Sequence, residues 1–357
     1  MAEFNVEEYL NSLPDDVEKI DVSDKNLKYL PDLSRFKYLQ YLYCQNNKLT
    51  SLPILPKQLI HLTCNNNKLI SLPVLNENLQ FLNCYDNELT SLPVLNKNLK
   101  KLFCGTNKLK SLPILNENLK ELSCNCNELT SLPILNENLK ELSCGYNQLT
   151  SLPILNKNLK ELYCHNNWLT SLPILNEQLE NLNCNNNKLT SLPILNKNLK
   201  ILECHYNYLT TLPVLNENLR ELYCNSNQLI SLPVLNKNLQ ILNCDHNQLT
   251  MLPVLNKNLK KFSCRCNQLT SLPILNKNLT EFYCHLNPIH DIIHDNDLNI
   301  FKEKIIIFNN FRHLYYCLKY KKRLFKLMEP IIKKRYHPSY LNNLTEDDDL
   351  DEKLDKW

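Results

Sequence analysis

Residues 158–177 have the sequence NLKELYCHNNWLTSLPILNE, and near copies of this stretch follow one another along most of the chain. A Cys recurs every 20 residues from Cys44 to Cys284, and an Asn follows three positions after each of them, from Asn47 to Asn287. A period of roughly 20 to 50 residues is typical of proteins built from stacked repeats. The sequence therefore predicts a solenoid in which each unit adds one layer.

Each unit contains one stretch with strand-like alternation, residues 161–165 in the example above. Leu162 and Cys164 point to one side, and the residues between and beside them point to the other. Twenty residues hold one strand and a tight return but scarcely a helix, and the Leu-Pro step favours an extended or polyproline-II return. We therefore predict a parallel β-sheet whose units fold only collectively, because one unit buries too little apolar surface alone.

The repeated Cys and Asn are predicted to form two structural ladders. A core-facing Cys suits close packing, and parallel neighbouring side chains do not converge as a disulfide requires, so we expect reduced thiols. An Asn amide both donates and accepts hydrogen bonds, so it can satisfy backbone groups in successive turns. The central members of the two ladders are Cys164, Asn167, Cys184, Asn187, Cys204 and Asn207.

The pattern LxxLxCxxNxLxxLPxL resembles the leucine-rich repeat, with Cys at a position that is usually aliphatic. The 20-residue period resembles the LPX-type repeats of bacterial effectors, whose fuller LPxLPxxL form appears at residues 52–59, whereas Asn76 replaces the second Pro in the next unit. The Asn, Lys and Ile bias and residues 311–338 look like leucine-rich repeat proteins of mimivirus-type giant viruses.

These resemblances imply a horseshoe-shaped solenoid, formally α/β but mostly β. Its parallel sheet would line the concave face, and its extended returns would form the convex side. They also imply a viral protein that acts on a host partner. The predicted domains are an N-terminal cap (1–19), an array of about 14 repeat units (20–292), an amphipathic basic helical cap (293–340) and an acidic, disordered tail (341–357).

Composition excludes several classes of function. The chain has only two Gly, Gly105 and Gly145, so it lacks the glycine-rich fingerprints of nucleotide-binding proteins and the GxSxG motif of hydrolases. Forty basic against 37 acidic residues argue against a chain that binds nucleic acid along its whole length. An acidic start without a long apolar run predicts no signal peptide, no transmembrane segment and an intracellular location, the host cytoplasm if the protein is viral.

Sequence diversity between units is concentrated at the outward strand positions, while LTSLPILNKNL recurs almost unchanged. Such diversity fits a tolerant solvated surface, but Tyr-rich surfaces with His and Asn are typical of recognition sites. We therefore predict a non-catalytic scaffold that binds a protein partner on the concave face. The candidate binding residues are Tyr163, His165, Trp168, Glu203, His205, Tyr206, Tyr208 and Tyr223, beside an acidic stripe of Glu121, Glu141 and Glu161 whose charge Lys120, Lys140, Lys160 or a basic partner would offset.

The alternatives have weaker support. Residues 302–335 carry eleven basic and two acidic residues and could bind nucleic acid or an anionic membrane. A ubiquitin-ligase activity or adaptor role is remote, since Cys317 has no convincing base nearby in the sequence. His246, Cys266 and His285 fall near Asp245 but match no standard metal motif. We predict no catalytic residue, metal, cofactor or small-molecule substrate.

Overall fold

The structure is a computed structural model that describes residues 4–293, 295 and 297–319. Helix α1 spans Val6–Ser12. Fourteen three-residue strands follow, then the helices α2 (His290–Ile293) and α3 (Leu298–Lys319). The strands are β1 Lys19–Asp21, β2 Tyr41–Tyr43, β3 His61–Thr63, β4 Phe81–Asn83, β5 Lys101–Phe103, β6 Glu121–Ser123, β7 Glu141–Ser143, β8 Glu161–Tyr163, β9 Asn181–Asn183, β10 Ile201–Glu203, β11 Glu221–Tyr223, β12 Ile241–Asn243, β13 Lys261–Ser263 and β14 Glu281–Tyr283.

The strands form one parallel sheet in chain order. Every pair from β2 onward is offset by one repeat, so that Leu162 faces Leu182 and Leu202 faces Leu222. The first offset is 22 residues and pairs Ile20 with Leu42. The predicted parallel-sheet solenoid is confirmed.

The core of each unit consists of aliphatic side chains and one Cys. In the example unit, Leu159, Leu162, Cys164 and Leu169 are fully buried. Leu172, which the pattern placed in the same core, is only partly buried. Burial of each large aliphatic side chain stabilises the fold by about 1.5–3 kcal/mol.

The side chain of the repeated Asn connects two successive repeats. The Asn187 side chain donates to the carbonyl oxygens of Cys164, Cys184 and Asn185, each at 3.1 Å. Its Oδ1 accepts from the backbone N–H of Leu169 at 3.0 Å. The amide therefore forms hydrogen bonds with backbone groups that have no partner within a strand or helix.

Two further amide ladders run through the return segments. Asn196 donates to the carbonyl oxygens of Asn176 and Leu179, and its Oδ1 accepts from the Leu199 N–H at 2.9 Å. Asn198 donates to the Glu177 carbonyl oxygen at 2.7 Å. These contacts were not predicted from the sequence, in which the column of Asn76 and Asn196 stands out only because Asn replaces the second Pro.

The residue before each ladder Asn adopts a left-handed backbone conformation without being Gly. Examples are Thr106 with φ 51° and Tyr206 with φ 52°. The neighbouring hydrogen bonds impose this geometry, since Cys and Leu also occupy the position in other repeats, and such residues rarely adopt it.

The array and the segment from residue 295 form separate compact units and are described separately. Before the array, Asn5 caps α1 by accepting from the Glu8 N–H at 3.1 Å. In α3, Phe301 and Ile305 are buried, whereas Phe311 is 70% exposed. The predicted domain boundaries stay predictions, and the predicted tail (341–357) lies outside the described residues.

Candidate functional site

The face of the sheet that points away from the core is the candidate site, and we call it the sheet face. It consists of the first and third residues of each strand and the second residue after the strand. In β8 these are Glu161, Tyr163 and His165, all partly exposed, while Leu162 and Cys164 between them are buried. The structure therefore places the predicted outward residues outward.

An aromatic cluster covers β2 to β5. Its central contact is between His61 and Phe81, whose rings stack with centroids 4.1 Å apart and planes at 3°. Tyr43 lies 5.2 Å from His61 on one side, and Phe103 lies 5.5 Å from Phe81 on the other. This cluster was not predicted from the sequence, although Tyr41, His61 and Phe81 recur at the 20-residue spacing.

The predicted acidic stripe is formed by in-register residues of β6 to β8. The pKa of Glu141 is raised, first by burial and then by the charges of Glu161 and Glu121. The expected screening by Lys120, Lys140 and Lys160 is not what the structure shows. Among the described residues, Lys101 pairs with Glu121 at 2.7 Å, and Lys160 instead lies 3.9 Å from Glu180.

Two of the predicted tyrosines are held by glutamates of their own strands. The Tyr163 hydroxyl donates to Glu161 at 2.6 Å, and the Tyr223 hydroxyl donates to Glu221 at 3.0 Å. Burial, followed by this hydrogen bond, raises the pKa of Tyr163 and brings that of Tyr223 to about 12. Both hydroxyls therefore stay protonated, and both rings have a fixed orientation.

Glu203 is also held in place. Its carboxylate accepts from the Asn183 side chain at 3.0 Å. Burial raises its pKa, and the nearby charge of Glu221 contributes in the same direction. Acidic side chains of the sheet face therefore occur on β6 to β8 and again on β10 and β11, with Asn181 and Asn183 of β9 between them.

The predicted histidines lie in half-buried sites beside tyrosines. His165 makes an edge contact with Tyr146 at 5.3 Å, and His205 makes one with Tyr206 at 5.6 Å. A Cβ at Gly145 would lie 2.7 Å from the His165 ring, so glycine leaves the space that this ring occupies. Burial lowers the pKa of both histidines, and their Nδ1 atoms are buried without a hydrogen-bond partner.

Trp168 and Tyr208 do not join those histidines in one ring cluster. Both are exposed, and Lys188 of the intervening repeat lies with its Nζ 5.6 Å from the Trp168 ring. Within the part of the chain that the structure describes, no ring contact links Trp168 to His165. The candidate binding residues therefore form separate groups rather than one cluster.

An ion pair between a buried Asp and a partly exposed Arg lies near the end of the array. Asp245 accepts from Arg265 Nε at 2.7 Å and from the Ser263 hydroxyl at 2.6 Å. The Arg265 guanidinium also lies over the Tyr283 ring at 5.5 Å. Asp245 is thus engaged by a cation, and no group of three metal-binding side chains occurs in the described residues.

A groove of about 830 Å³ lies at the turns that precede the last strands. Amides of Asn218 and Asn238 and the cations of Arg220 and Lys260 line it, and no acidic side chain is among its lining residues. None of its lining residues is among the candidate binding residues.

The ladder thiols are free and buried. Burial raises the pKa of Cys184 to about 12, and it raises that of Cys164 with a further contribution from Cys184. Such thiols are poor nucleophiles. Cys126 is exposed and Cys266 partly exposed, whereas the Cys317 side chain lies outside the described residues.

Comparison with known proteins connects this geometry to a family. A family model for leucine-rich repeats (2 copies) matches residues 137–177. The solved structure of a leucine-rich repeat protein from Leptospira interrogans is 30% identical, with a TM-score of 0.55, and the match covers 80% of this chain and 93% of that one. The chain belongs to the leucine-rich repeat proteins.

Two further leucine-rich repeat structures resemble this member of the family. YopM from Yersinia enterocolitica is 29% identical with a TM-score of 0.59, covering 78% of this chain and 75% of that one. The functional domain of InlJ from Listeria monocytogenes, described as including a cysteine ladder, is 28% identical with a TM-score of 0.58, covering 71% and 64%. No curated protein matches significantly.

The resemblance to repeats of bacterial effectors is thereby supported by YopM, while the resemblance to giant-virus proteins stays a prediction. None of the helices in the described residues has the length and apolar character needed to span a membrane. Residues 320–335 of the basic segment 302–335, predicted as an alternative nucleic-acid or lipid site, lie outside the described residues.

Proposed function

We propose that the protein is a non-catalytic scaffold that binds a protein partner through the sheet face. The leucine-rich repeat fold is typical of protein-interaction scaffolds, which present extended repeat surfaces. The observation that carries the proposal is the contrast within each repeat. The core and ladder residues hardly change, whereas the side chains of the sheet face differ between most repeats and include aromatic and acidic residues in many of them.

The electrostatics of the sheet face favour a basic partner segment. Glu121, Glu141 and Glu161 lie in register, and burial together with the charges of Glu161 and Glu121 raises the pKa of Glu141. A guanidinium group can bind carboxylates in a bidentate manner and stack on a tyrosine ring, as Arg265 already does over Tyr283. We therefore expect the bound segment to carry Arg close to aromatic or aliphatic residues.

Selection of a random peptide display library on the full chain tests this function. Bound peptides should be enriched in Arg, and their affinity should fall with salt, because partly exposed charges are screened. A Glu141→Gln/Glu161→Gln variant should weaken the selected peptides about tenfold or more, as expected for the loss of two close charge partners.

A matched control makes the same charge change elsewhere. Glu137 and Glu217 are exposed and pair loosely with lysines at 3.4 and 3.6 Å. A Glu137→Gln/Glu217→Gln variant should bind the peptides like the parent chain. If both double variants bind equally, or if neutral peptides are selected, the proposed basic partner is wrong. A Tyr206→Ala/Tyr208→Ala variant then tests whether the aromatic residues contribute.

A further inference from the structure

A second feature lies on the return segments and not on the sheet face. In each unit with a Leu-Pro step after the first, the residue that follows the proline is Ile or Val and is strongly exposed. Eleven of these twelve side chains are 84–89% exposed, and the last is 65% exposed. We call them the aliphatic stripe: Ile54, Val74, Val94, Ile114, Ile134, Ile154, Ile174, Ile194, Val214, Val234, Val254 and Ile274.

The stripe is continuous because hydrogen bonds link successive return segments. Asn196 donates to the carbonyl oxygen of Asn176, and Asn198 donates to that of Glu177. The same contacts recur along the array, for example between Asn116 and Asn96 at 2.8 Å. Neighbouring stripe residues therefore lie side by side, in step with strands about 4.8 Å apart.

The segments that carry the stripe are almost free of charge, whereas an exposed Lys or Glu follows three residues after each stripe residue, such as Lys157 after Ile154 and Glu177 after Ile174. From residue 50 to 56, and at the equivalent positions of each later unit to 276, Lys110 is the only charged residue. The remaining positions carry Thr, Ser, Leu, Pro, Ile, Val, Met or Asn. The stripe stops at the first unit, where Asp32 occupies its position. The stripe itself is apolar, so an apolar partner surface is complementary to it, and the Lys and Glu residues lie along its edge.

The available apolar area is enough for a dimer interface. Burial of one Ile or Val is worth about 1.5–3 kcal/mol at about 25 cal/mol per Å², which corresponds to about 60–120 Å² per side chain. Twelve such residues present about 1,000 Å², against about 800 Å² per partner in a standard interface. A contact limited to the central units would still form a weak interface.

We infer that the aliphatic stripe is a self-association surface through which a second copy of this chain packs back to back. A two-fold interface requires a patch that is complementary to itself, and a row of like aliphatic side chains meets this requirement. An antiparallel arrangement places the central pair Ile154 and Ile174 of one copy against the same pair of the other. The sheet faces of both copies stay accessible, so this inference is independent of the proposed function.

Sedimentation velocity of the full chain between about 1 and 100 µM tests the inference, because a partly used stripe predicts a dimer of about micromolar affinity. The dimer should persist at about 1 M NaCl, since apolar contacts are not screened by salt. The variant Ile134→Thr/Ile154→Thr/Ile174→Thr keeps β-branching at each position. Because a two-fold interface contains each change twice, its dissociation constant should rise at least ~100-fold.

The matched control makes three Ile→Thr changes away from the stripe, at the partly exposed Ile60, Ile201 and Ile241. This control should dimerise like the parent chain, and circular dichroism should show that both triple variants remain folded. A parent chain that stays monomeric throughout, or a stripe variant that dimerises unchanged, would overturn the inference. Species that grow beyond the dimer with concentration would contradict the two-fold arrangement.

Discussion

Replacement of the buried ladder residue Asn187 by Ala should destabilise the protein by about 3 kcal/mol. The change leaves the Leu169 N–H without an acceptor, which costs about 1–3 kcal/mol for a buried donor. The carbonyl oxygens of Cys164 and Cys184 keep one donor each, from Asn167 and Asn207. The loss of the three hydrogen bonds to carbonyl oxygens and the small void left by the side chain contribute the remaining destabilisation, about 1–2 kcal/mol.

The other two amide ladders provide an internal scale. Asn196 is 7% exposed and bonds two carbonyl oxygens and one N–H, so Asn196→Ala should cost about 2 kcal/mol. Asn198 makes one bond at a partly exposed site where water can replace it, so Asn198→Ala should cost less than about 1 kcal/mol. Asn187→Asp should be worse than Asn187→Ala, because a carboxylate would face three carbonyl oxygens.

Urea unfolding followed by far-ultraviolet circular dichroism measures these free energies, with fluorescence of Trp168 as a probe in the neighbouring repeat. The expected order of destabilisation is Asn187→Ala, then Asn196→Ala, then Asn198→Ala. Equal losses at the three sites, or the largest loss at Asn198, would refute the view that burial of the amide determines its contribution.

Three further predictions concern charge and backbone. Arg265→Ala should cost about 3 kcal/mol by leaving the buried Asp245 without its cation, whereas Lys101→Ala, which breaks an exposed pair, should cost less than about 1 kcal/mol in the same denaturation assay. Burial lowers the pKa of His165 in the folded state and so favours the neutral imidazole there. The folded state is therefore fully stable above the unfolded-state pKa of about 6.5, and it loses stability as the pH falls below that value. His165→Gln should therefore flatten the measured fall in melting temperature between about pH 7 and pH 5, and an unchanged slope would contradict this. Thr106→Gly should raise stability by about 1 kcal/mol in thermal unfolding, because a β-branched residue with φ 51° is strained, and no gain would show that its neighbours relieve the strain.

The parallel sheet could be predicted from the 20-residue period, because one strand per repeat stacks in register on the next. The apolar Leu162 and Cys164 then determine which side of each strand faces the core. The same reasoning could not reveal the Asn196 and Asn198 ladders. An Asn in a turn usually contacts water or its own backbone, and only the stacking distance shows that it reaches the previous repeat. The left-handed positions were also hidden, since residues as different as Thr106 and Tyr206 occupy them.

The grouping of side chains on the sheet face depends on distances that a repeat pattern does not contain. His165 leans into the space above Gly145, so it contacts Tyr146 and not Trp168. Lys101 reaches the acidic stripe from the preceding strand, although three lysines are nearer to it in sequence. The length and rotamer of each side chain determine its partners, and its position within the repeat does not.

The two sides of the array differ in how exposure relates to sequence variation. On the sheet face, the partly exposed third strand position changes from Tyr43 to Thr63, Asn83 and Phe103, as expected where the ladders and core already supply the stability of each repeat. The stripe position is more exposed, and yet it holds only Ile or Val in twelve units. A shared duplication history would preserve both positions equally, and solvent exposure alone would let the stripe vary more. Packing of a second copy of the chain against the stripe, as proposed above, would account for the restriction of this exposed position to aliphatic residues.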